Sequence, residues 1–214
     1  MEIKGTEMDS IEKYLELSRT CPELFAQSEE LPLVLDPKEL YAFAQKSGRR
    51  IGSHYHLMVV DVVRAKNGSL FAYERLMNRV MRGAVVIVPY YNGKYILLRQ
   101  YRHALREYQY GFPRGFGEEG ISAKENAGKE LWEELGVQAE KWKGFGKIVP
   151  DSGAMSSKAD VFLAELNEAP QVIQEEEIVG HIALDWEQLG EWIRDGKITD
   201  GFTLAAYAKM SLQK

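Results

Sequence analysis

Three glutamates fall within five residues of one another, in the run KELWEELGV at 129–137. Glu130, Glu133 and Glu134 carry like charges about one helical turn apart, which costs an isolated helix only a few tenths of a kcal/mol per pair. Because a solvated surface tolerates that cost, the cluster fits an exposed acidic helix face as well as a site that holds a cation. The residues around it must decide between these two interpretations.

The glutamates belong to a helix whose ends can be predicted. Ser122 and Glu125 have the spacing of a capping box, and Gly136 stands where a left-handed C-terminal cap belongs. This pattern predicts a helix over 122–135. With helical periodicity, the glutamates share a face at the edge of the apolar stripe that is expected to pack on the core. That stripe consists of Ala127, Leu131 and Leu135.

A glycine-rich loop precedes this helix. The run GFPRGFGEEG at 111–120 contains four glycines, which disfavour regular structure and let backbone atoms approach a ligand closely. Three aligned carboxylates beside such a loop predict a site for a hard cation. Mg2+ prefers oxygen ligands in octahedral geometry and commonly shares them with substrate phosphates. Lys129 lies beside the carboxylates, and its charge favours the alternative of a solvated face.

Composition and charge exclude several functions. The 214 residues, 45% hydrophobic and 28% charged, are enough for one domain plus an extension. The net charge of −5 provides no general basic field for nucleic acid, so phosphates must be bound by local arginines or by cations. Cys21 is the single cysteine, which indicates a reducing compartment and a cytoplasmic location. We expect no membrane partner, because the most apolar run, at 84–91, is too short to span a bilayer.

Helical patterns in the first part of the chain give way to strands. Residues 1–50 are predicted to form a helical extension, with one helix that begins at Asp36-Pro37 and ends at Gly48. Residues 51–214 are predicted to form one domain with two hairpins turned by Asn-Gly pairs, and such strands with helices at intervals indicate a layered α/β or α+β domain. Strands are expected at 55–65, 69–77, 84–91, 94–102, 144–149, 159–166 and 177–184, and the domain's helices at 122–135, 186–195 and 202–212.

The chain from Gly115 to Val137 resembles the sequence box of the Nudix hydrolase family. That box reads Gly, five residues, Glu, seven residues, then Arg-Glu-apolar-any-Glu-Glu-any-Gly-apolar. The resemblance implies an α+β fold, a Nudix-type α/β/α sandwich with a mixed sheet, here preceded by the helical extension. The residues of this chain that match the box are Gly115, Glu130, Leu131, Glu133, Glu134, Gly136 and Val137.

The flanking segments resemble the ADP-ribose pyrophosphatases of this family. The run at 97–104 is similar to their Gln-Tyr-Arg strand, the run at 150–166 to their proline-containing loop and the strand after it, and the run at 192–207 to their closing helices. The resemblance covers about 54–212. It implies an enzyme that uses Mg2+, or Mn2+, to hydrolyse ADP-ribose or a related nucleoside diphosphate sugar by water attack on the diphosphate. It also implies a homodimer that pairs through the early strands and a small-molecule nucleotide as partner.

The resemblance assigns roles to the acidic residues. Glu130 and Glu134 are the expected principal metal ligands, and Glu133 shares the metals or acts as base. The carbonyl of Gly115 is expected to be a further ligand. Glu177 resembles an acidic position of the family and is predicted to be another ligand or base, with an exposed charge run as the alternative.

Two arginines are candidates for binding the substrate. Arg102 can chelate two phosphate oxygens with its planar guanidinium, although a structural salt bridge is the alternative. Arg114 lies in the glycine-rich loop and is a weaker candidate for the same role.

The chain departs from the family pattern at four positions. Ile121 and Lys129 replace a glutamate and an arginine that form an ion pair in the family, so we expect no ion pair there. Ser157 aligns with the glutamate that often acts as base, and Gly111 with a glutamate before the proline of the loop. A second enzymatic interpretation is a diphosphatase for other nucleotides, such as dinucleotide polyphosphates. Ile121, Lys129 and Ser157 keep open a third function, a weakly active or non-catalytic nucleotide-sugar sensor.

Overall fold

The computed structural model describes most of the chain in two compact units. One unit comprises Met1–Tyr55 with His103–Arg106, and the other comprises His56–Arg102 with Glu107–Lys214. Within the described residues, no helix is long and apolar enough to cross a membrane. The described residues are 7–20, 22–25, 32–48, 51, 57–77, 83–171 and 177–212.

The described residues of the first unit include three helices. These are α1 (Glu7–Thr20), a short 3-10 helix (Pro22–Phe25) and α2 (Pro37–Ser47). Asp36 caps α2 by accepting a 3.0 Å hydrogen bond from the backbone N–H of Glu39, and the helix ends at Gly48 with a left-handed φ of 65°. The buried side chains that hold α1 and α2 together are Ile11, Leu40 and Ala44.

Among its described residues, the second unit contains two sheets. Their strands are β1 (Leu57–Arg64), β2 (Leu70–Met77), β3 (Val85–Tyr91), β4 (Lys94–Arg102), β5 (Glu107–Gly111), β6 (Arg114–Gly115), β7 (Ala139–Ile148), β8 (Ala159–Leu166) and β9 (Ile178–Leu184). β1 and β2 form a two-stranded antiparallel sheet, and a seven-stranded sheet has the order β5-β4-β3-β8-β7, with β6 paired to β3 and β9 paired to β4. β3 and β8 are parallel while the other pairs are antiparallel, so the sheet is mixed, as predicted.

The sequence did not predict β5 and β6, and it placed the start of β7 five residues late. The first half of β7 is rich in exposed charged side chains, including Glu140 and Lys141, so it lacks the apolar alternation by which a strand is recognised. β6 is only two residues long, and its pairing with β3 rather than any local pattern makes it a strand.

Helices cover both faces of the large sheet. Because successive side chains of a strand point to opposite faces, β3 contributes to two separate cores. Val85 and Ile87 pack in the core that contains α3 (Ala123–Leu135), whereas Val86 and Val88 pack in the core that contains α4 (Trp186–Arg194) and α5 (Gly201–Ser211). The predicted α/β/α sandwich of α+β class is therefore confirmed.

The β1–β2 hairpin is joined to the loop that precedes β8. The backbone N–H of Leu76 donates to the carbonyl of Ala154 at 2.7 Å, and the N–H of Ser156 donates to the carbonyl of Leu76 at 3.1 Å. The hydroxyl of Tyr73 also donates to the carbonyl of Gly153 at 2.6 Å. The small sheet thus holds one side of this loop in place.

The packing of α3 yields a first prediction. Leu131 is fully buried in the core beneath α3, so Leu131→Ala should lower the free energy of unfolding by about 2–5 kcal/mol through lost burial and a residual cavity. Trp132→Ala is the matched control, because the Trp132 side chain is 53% exposed and its loss should cost much less. Urea unfolding of the three proteins measures both effects. Equal losses for the two variants would contradict this packing.

Candidate active site

The N-terminus of α3 is fixed by its predicted capping box. The hydroxyl of Ser122 accepts a hydrogen bond from the N–H of Glu125 at 3.2 Å, and the Glu125 carboxylate accepts one from the N–H of Ser122 at 2.7 Å. Gly136 ends the helix with a left-handed φ of 63°. The two caps fix where α3 begins and ends. They therefore set the positions of the three glutamates relative to the glycine-rich loop.

A buried asparagine fastens the glycine-rich loop to α3. Asn126 is fully buried, and its side-chain amide donates to the carbonyl of Phe116 at 2.8 Å and to that of Gly83 at 3.0 Å. Sequence reasoning missed this residue. The sequence feature that could have identified it is the position of Asn126 next to Ala127, on the predicted buried side of the helix. A polar amide there needs hydrogen-bond partners.

Glu130 lies directly against Gly115. β6 places Gly115 opposite Val85 of β3, and a Cβ atom added at Gly115 would overlap the Glu130 carboxylate. Only glycine leaves room for this carboxylate. The structure therefore brings together two of the residues that the sequence predicted as metal ligands, and it gives the physical reason for glycine at this position of the loop.

Glu134 lies one turn further along α3 and is only 8% exposed. Its Oε1 accepts a 3.4 Å hydrogen bond from the side-chain amide of Gln100 on β4, which is itself buried. The negative charge of Glu134 also favours the charged form of Arg102. A carboxylate in this position is held by the sheet and is not part of a solvated helix face.

Glu133 is placed apart from the other two glutamates. Its carboxylate is 3.7 Å from the Lys129 ammonium, one turn earlier on α3, and the side chain is 45% exposed. Within the described part of the chain, no three carboxylate, histidine or cysteine side chains are grouped closely enough to hold a metal ion. Glu133 would have to leave Lys129 and rotate in order to join Glu130 and Glu134.

Lys129 forms an ion pair that the sequence did not predict. The family's own pair cannot form because Ile121 replaces its glutamate, but Lys129 pairs with Glu118 of the glycine-rich loop. This hydrogen bond is the main reason why the pKa of Lys129 is raised. The loop thus supplies a carboxylate to Lys129 from a position three residues before Ile121.

A cavity of about 280 Å³ opens beside Gly115. Both arginines predicted to bind substrate line it, and Ser157, which aligns with the family's base, forms part of the same wall. Ser157 is 7% exposed and brings no charge to the cavity. Phe116, which is 62% exposed, also lines this cavity.

Several charges act on the guanidinium of Arg102. Burial lowers its pKa most, and the neighbouring Arg114 lowers it further, whereas Asp200, Glu134 and Glu177 raise it. The ordinary pKa of arginine is high enough for the group to stay protonated in proteins. Glu177 is exposed, and its backbone carbonyl accepts a 2.9 Å hydrogen bond from the N–H of Tyr101, which places it beside the end of β4.

Arg114 contacts two residues at the N-terminus of α5. Its guanidinium forms a 3.0 Å ion pair with Asp200 and lies 4.5 Å from the centre of the Phe202 ring. Sequence reasoning missed Asp200. The available signal was the spacing of Asp200 and Thr203, which is typical of a helix N-cap and says nothing about an arginine 86 positions earlier.

Comparison with known families decides which protein family this is. The NUDIX domain family matches residues 81–202, which is more than half of the chain. The chain belongs to the Nudix family. The resemblance found in the sequence is thereby confirmed.

Three matches to known proteins and structures illustrate the similarity. ADP compounds hydrolase NudE of Escherichia coli (strain K12) is 35% identical over 99 residues, which are 46% of this chain and 53%, about half, of that relative's length. Methanol dehydrogenase activator of Bacillus methanolicus is 26% identical over 159 residues, covering 72% of this chain and 84% of that protein. A crystal structure of an ADP compounds hydrolase matches with a TM-score of 0.67 and 25% identity over 75% of this chain and 87% of that chain.

The donor set of this Nudix chain suits a hard divalent cation. Glu130 lies in the space that Gly115 leaves open, Glu134 lies one turn away, and Gly115 contributes a backbone carbonyl. All of these donors are oxygens, which Mg2+ and Mn2+ prefer, and neither sulfur nor imidazole is among them.

The close approach of Gly115 and Glu130 yields a second prediction. Gly115→Ala should displace the Glu130 carboxylate, and, if Glu130 serves the reaction, hydrolysis of nucleoside diphosphate compounds should fall by about 100-fold. Gly128→Ala is the control, since a Cβ there meets no atom and alanine should stabilise the helix by about 0.5–1 kcal/mol. Full activity of Gly115→Ala would show that the position of Glu130 is unimportant. Initial rates with thermal melting of each variant make the comparison.

Proposed function

We propose that the protein is a metal-dependent hydrolase of nucleoside diphosphate compounds, with ADP-ribose or a related nucleoside diphosphate sugar as substrate. One observation carries the proposal: Arg102 and Arg114 line the same cavity as Gly115, against which the Glu130 carboxylate lies. A site for cations is thus adjacent to a site for anions. Family membership and the similarity to ADP compounds hydrolases support an enzyme of the pyrophosphohydrolase type.

The two arginines are suited to binding the diphosphate. Each guanidinium can donate two parallel hydrogen bonds to phosphate oxygens, which fixes orientation as well as charge. The substrate's charge also relieves the repulsion between Arg102 and Arg114.

The carboxylates of α3 would hold the metal. Glu130 and Glu134, with the carbonyl of Gly115, are the proposed ligands, and a bound divalent cation lowers the pKa of water and neutralises charge on the diphosphate. Glu133 and Glu177 are the candidates for the base that accepts the water's proton. Glu177 is exposed and influences Arg102, whereas Glu133 must first leave Lys129.

The proposed reaction adds water across the diphosphate. The water oxygen forms a bond to one phosphorus, the bond from that phosphorus to the bridging oxygen breaks, and the proton passes to the base. With ADP-ribose the products are AMP and ribose 5-phosphate. A cytoplasmic location and the absence of nucleic-acid and membrane partners stay predictions from the sequence.

Two observations favour a second candidate, a nucleotide-sugar sensor with little or no activity. Ser157 gives the cavity no carboxylate at the position where the family often has its base, and Glu133 lies near the Lys129 ammonium. A panel of ADP-ribose, other nucleoside diphosphate sugars and dinucleotide polyphosphates, with Mg2+ or Mn2+, separates the candidates by product identity. Binding of ADP-ribose without hydrolysis of any compound would favour the sensor.

Glu134 provides a direct test of the metal assignment. Glu134→Gln keeps the shape of the side chain but removes a ligand charge, so turnover of ADP-ribose should fall by about two orders of magnitude or more. A substrate analogue with Mg2+ should stabilise the wild type by about 2.7 kcal/mol at a hundredfold excess over its dissociation constant, and the variant should lose most of this gain.

The control for this test is Glu191→Gln, which makes the same change at an exposed position of α4. It should retain wild-type turnover and ligand stabilisation. Wild-type turnover and unchanged magnesium dependence in Glu134→Gln would remove Glu134 from the metal site.

We also propose a homodimer that pairs through the β1–β2 hairpin. Val62 is 75% exposed and Leu70 is 58% exposed, and they lie diagonally opposite on one face of the small sheet. Exposed apolar side chains grouped in this way are typical of protein interfaces. Phe71 is also 47% exposed, on the other face of the hairpin.

The dimer is tested by mass in solution. Wild type should have about twice the chain mass of 24.4 kDa by light scattering, and the double variant Val62→Asp with Leu70→Asp should be a monomer because two charges oppose burial. Leu212→Asp, at a C-terminal position that is 86% exposed, should stay a dimer. A wild-type mass of 24.4 kDa at micromolar concentration would refute the proposal.

A further inference from the structure

Asp200 combines burial, charge and contact with a cavity residue. The carboxylate is 8% exposed, and its Oδ1 is 3.0 Å from the guanidinium of Arg114. Its Oδ2 accepts hydrogen bonds from the N–H of Thr203 at 3.0 Å and from the Thr203 hydroxyl at 2.8 Å. One carboxylate therefore caps α5 and pairs with an arginine that lines the cavity.

The same group of contacts reaches the segment that leads into the box. The Thr203 hydroxyl, while donating to Asp200, accepts a 2.9 Å hydrogen bond from the N–H of Phe112. Gly111 lies so close that a Cβ there would be 3.3 Å from the Asp200 carboxylate. The backbone just before Arg114 is thus hydrogen-bonded to the N-terminus of α5. The N-terminus of α5 therefore fixes the positions of both the Arg114 main chain and its guanidinium.

Two guanidiniums at one cavity need a negative charge nearby. Arg102 and Arg114 oppose each other's charged form, and a lone buried positive charge is costly. Asp200 acts on both, because it is paired with Arg114 and also favours the charged form of Arg102. Without this carboxylate, Arg114 would be expected to move away from Arg102 towards solvent.

We propose that Asp200 is a positioning residue for substrate binding, which holds Arg114 beside Arg102 so that the two guanidiniums together bind the substrate's diphosphate. The inference rests on the proposed function, and it adds a residue outside the box that acts through another side chain. A ligand with a single phosphate could engage only one of the two arginines fully. Compounds with two adjacent phosphates are therefore the class that this arrangement selects.

Asp200→Asn separates the charge from the structural contacts. Asparagine is as good an N-cap as aspartate, so the variant can keep α5 capped while it loses the ion pair with Arg114. We expect KM for ADP-ribose to rise about tenfold with kcat within about threefold of wild type, since binding of substrate is impaired and the metal site is untouched. Asp185→Asn, the same change at the N-cap of α4, is the matched control and should leave KM unchanged.

A double-mutant cycle shows whether Asp200 acts through Arg114. Arg114→Gln should raise KM by itself, and Asp200→Asn added to it should change KM by less than about twofold, because the shared interaction is already lost. A full tenfold increase in both backgrounds would refute the proposed coupling. An unchanged KM in Asp200→Asn, with circular dichroism showing a folded protein, would refute the inference while hydrolysis by wild type upholds the proposed function.

Binding of inorganic pyrophosphate, measured by calorimetry without divalent metal, gives a readout independent of turnover. Wild type should bind pyrophosphate more tightly than Asp200→Asn, and the advantage should be lost in the Arg114→Gln background. If wild type hydrolyses no nucleotide yet shows this pattern, the proposed function fails and the inference stands. If wild type binds no pyrophosphate, the inference fails whatever the turnover.

Discussion

Strand β3 is buried on both faces, and the arrangement of the site depends on this constraint. Its side chains serve two cores at once, so α3 must lie on one face of the sheet and α4 and α5 on the other. Its backbone pairs with β4, which carries Arg102, and with β6, which carries Gly115. It also pairs with β8, which begins just after Ser157. The cavity therefore forms where the neighbours of one central strand end, and its walls come from segments far apart in the chain.

Charge balance gives the site its second constraint. The net charge of the protein is −5, yet two guanidiniums lie at one cavity. Carboxylates from different elements act on them and offset their positive charge. Glu134 comes from α3, Glu177 from the start of β9 and Asp200 from the N-terminus of α5. Such an arrangement concentrates positive charge locally without the cost of two unbalanced buried cations.

The sequence predicted the parts of this site that depend on local spacing. The capping box of α3 and the two hairpins follow from short patterns, because caps and turns are formed by residues within a few positions of each other. The expectation that Gly115 and Glu130 share a site came from the resemblance to the Nudix box and not from local spacing. The contact of Glu133 with Lys129 has the i, i+4 spacing of a helical ion pair. The pairing of Lys129 with Glu118, the pairing of Arg114 with Asp200 and the bonds of Asn126 to the glycine-rich loop could not be predicted from spacing, because they form only in the folded chain.

The backbone bonds between the β1–β2 hairpin and the loop before β8 have a dynamic consequence. Leu76 both donates to and accepts from this loop, and Met155 and Ser157 of the same loop line the cavity. Local openings of proteins occur in contiguous cooperative units, and hydrogen-bonded neighbours tend to open together. We therefore expect the hairpin and this wall of the cavity to open together, so that a sheet with no described side chain among the cavity's lining residues helps to set the lifetime of that wall.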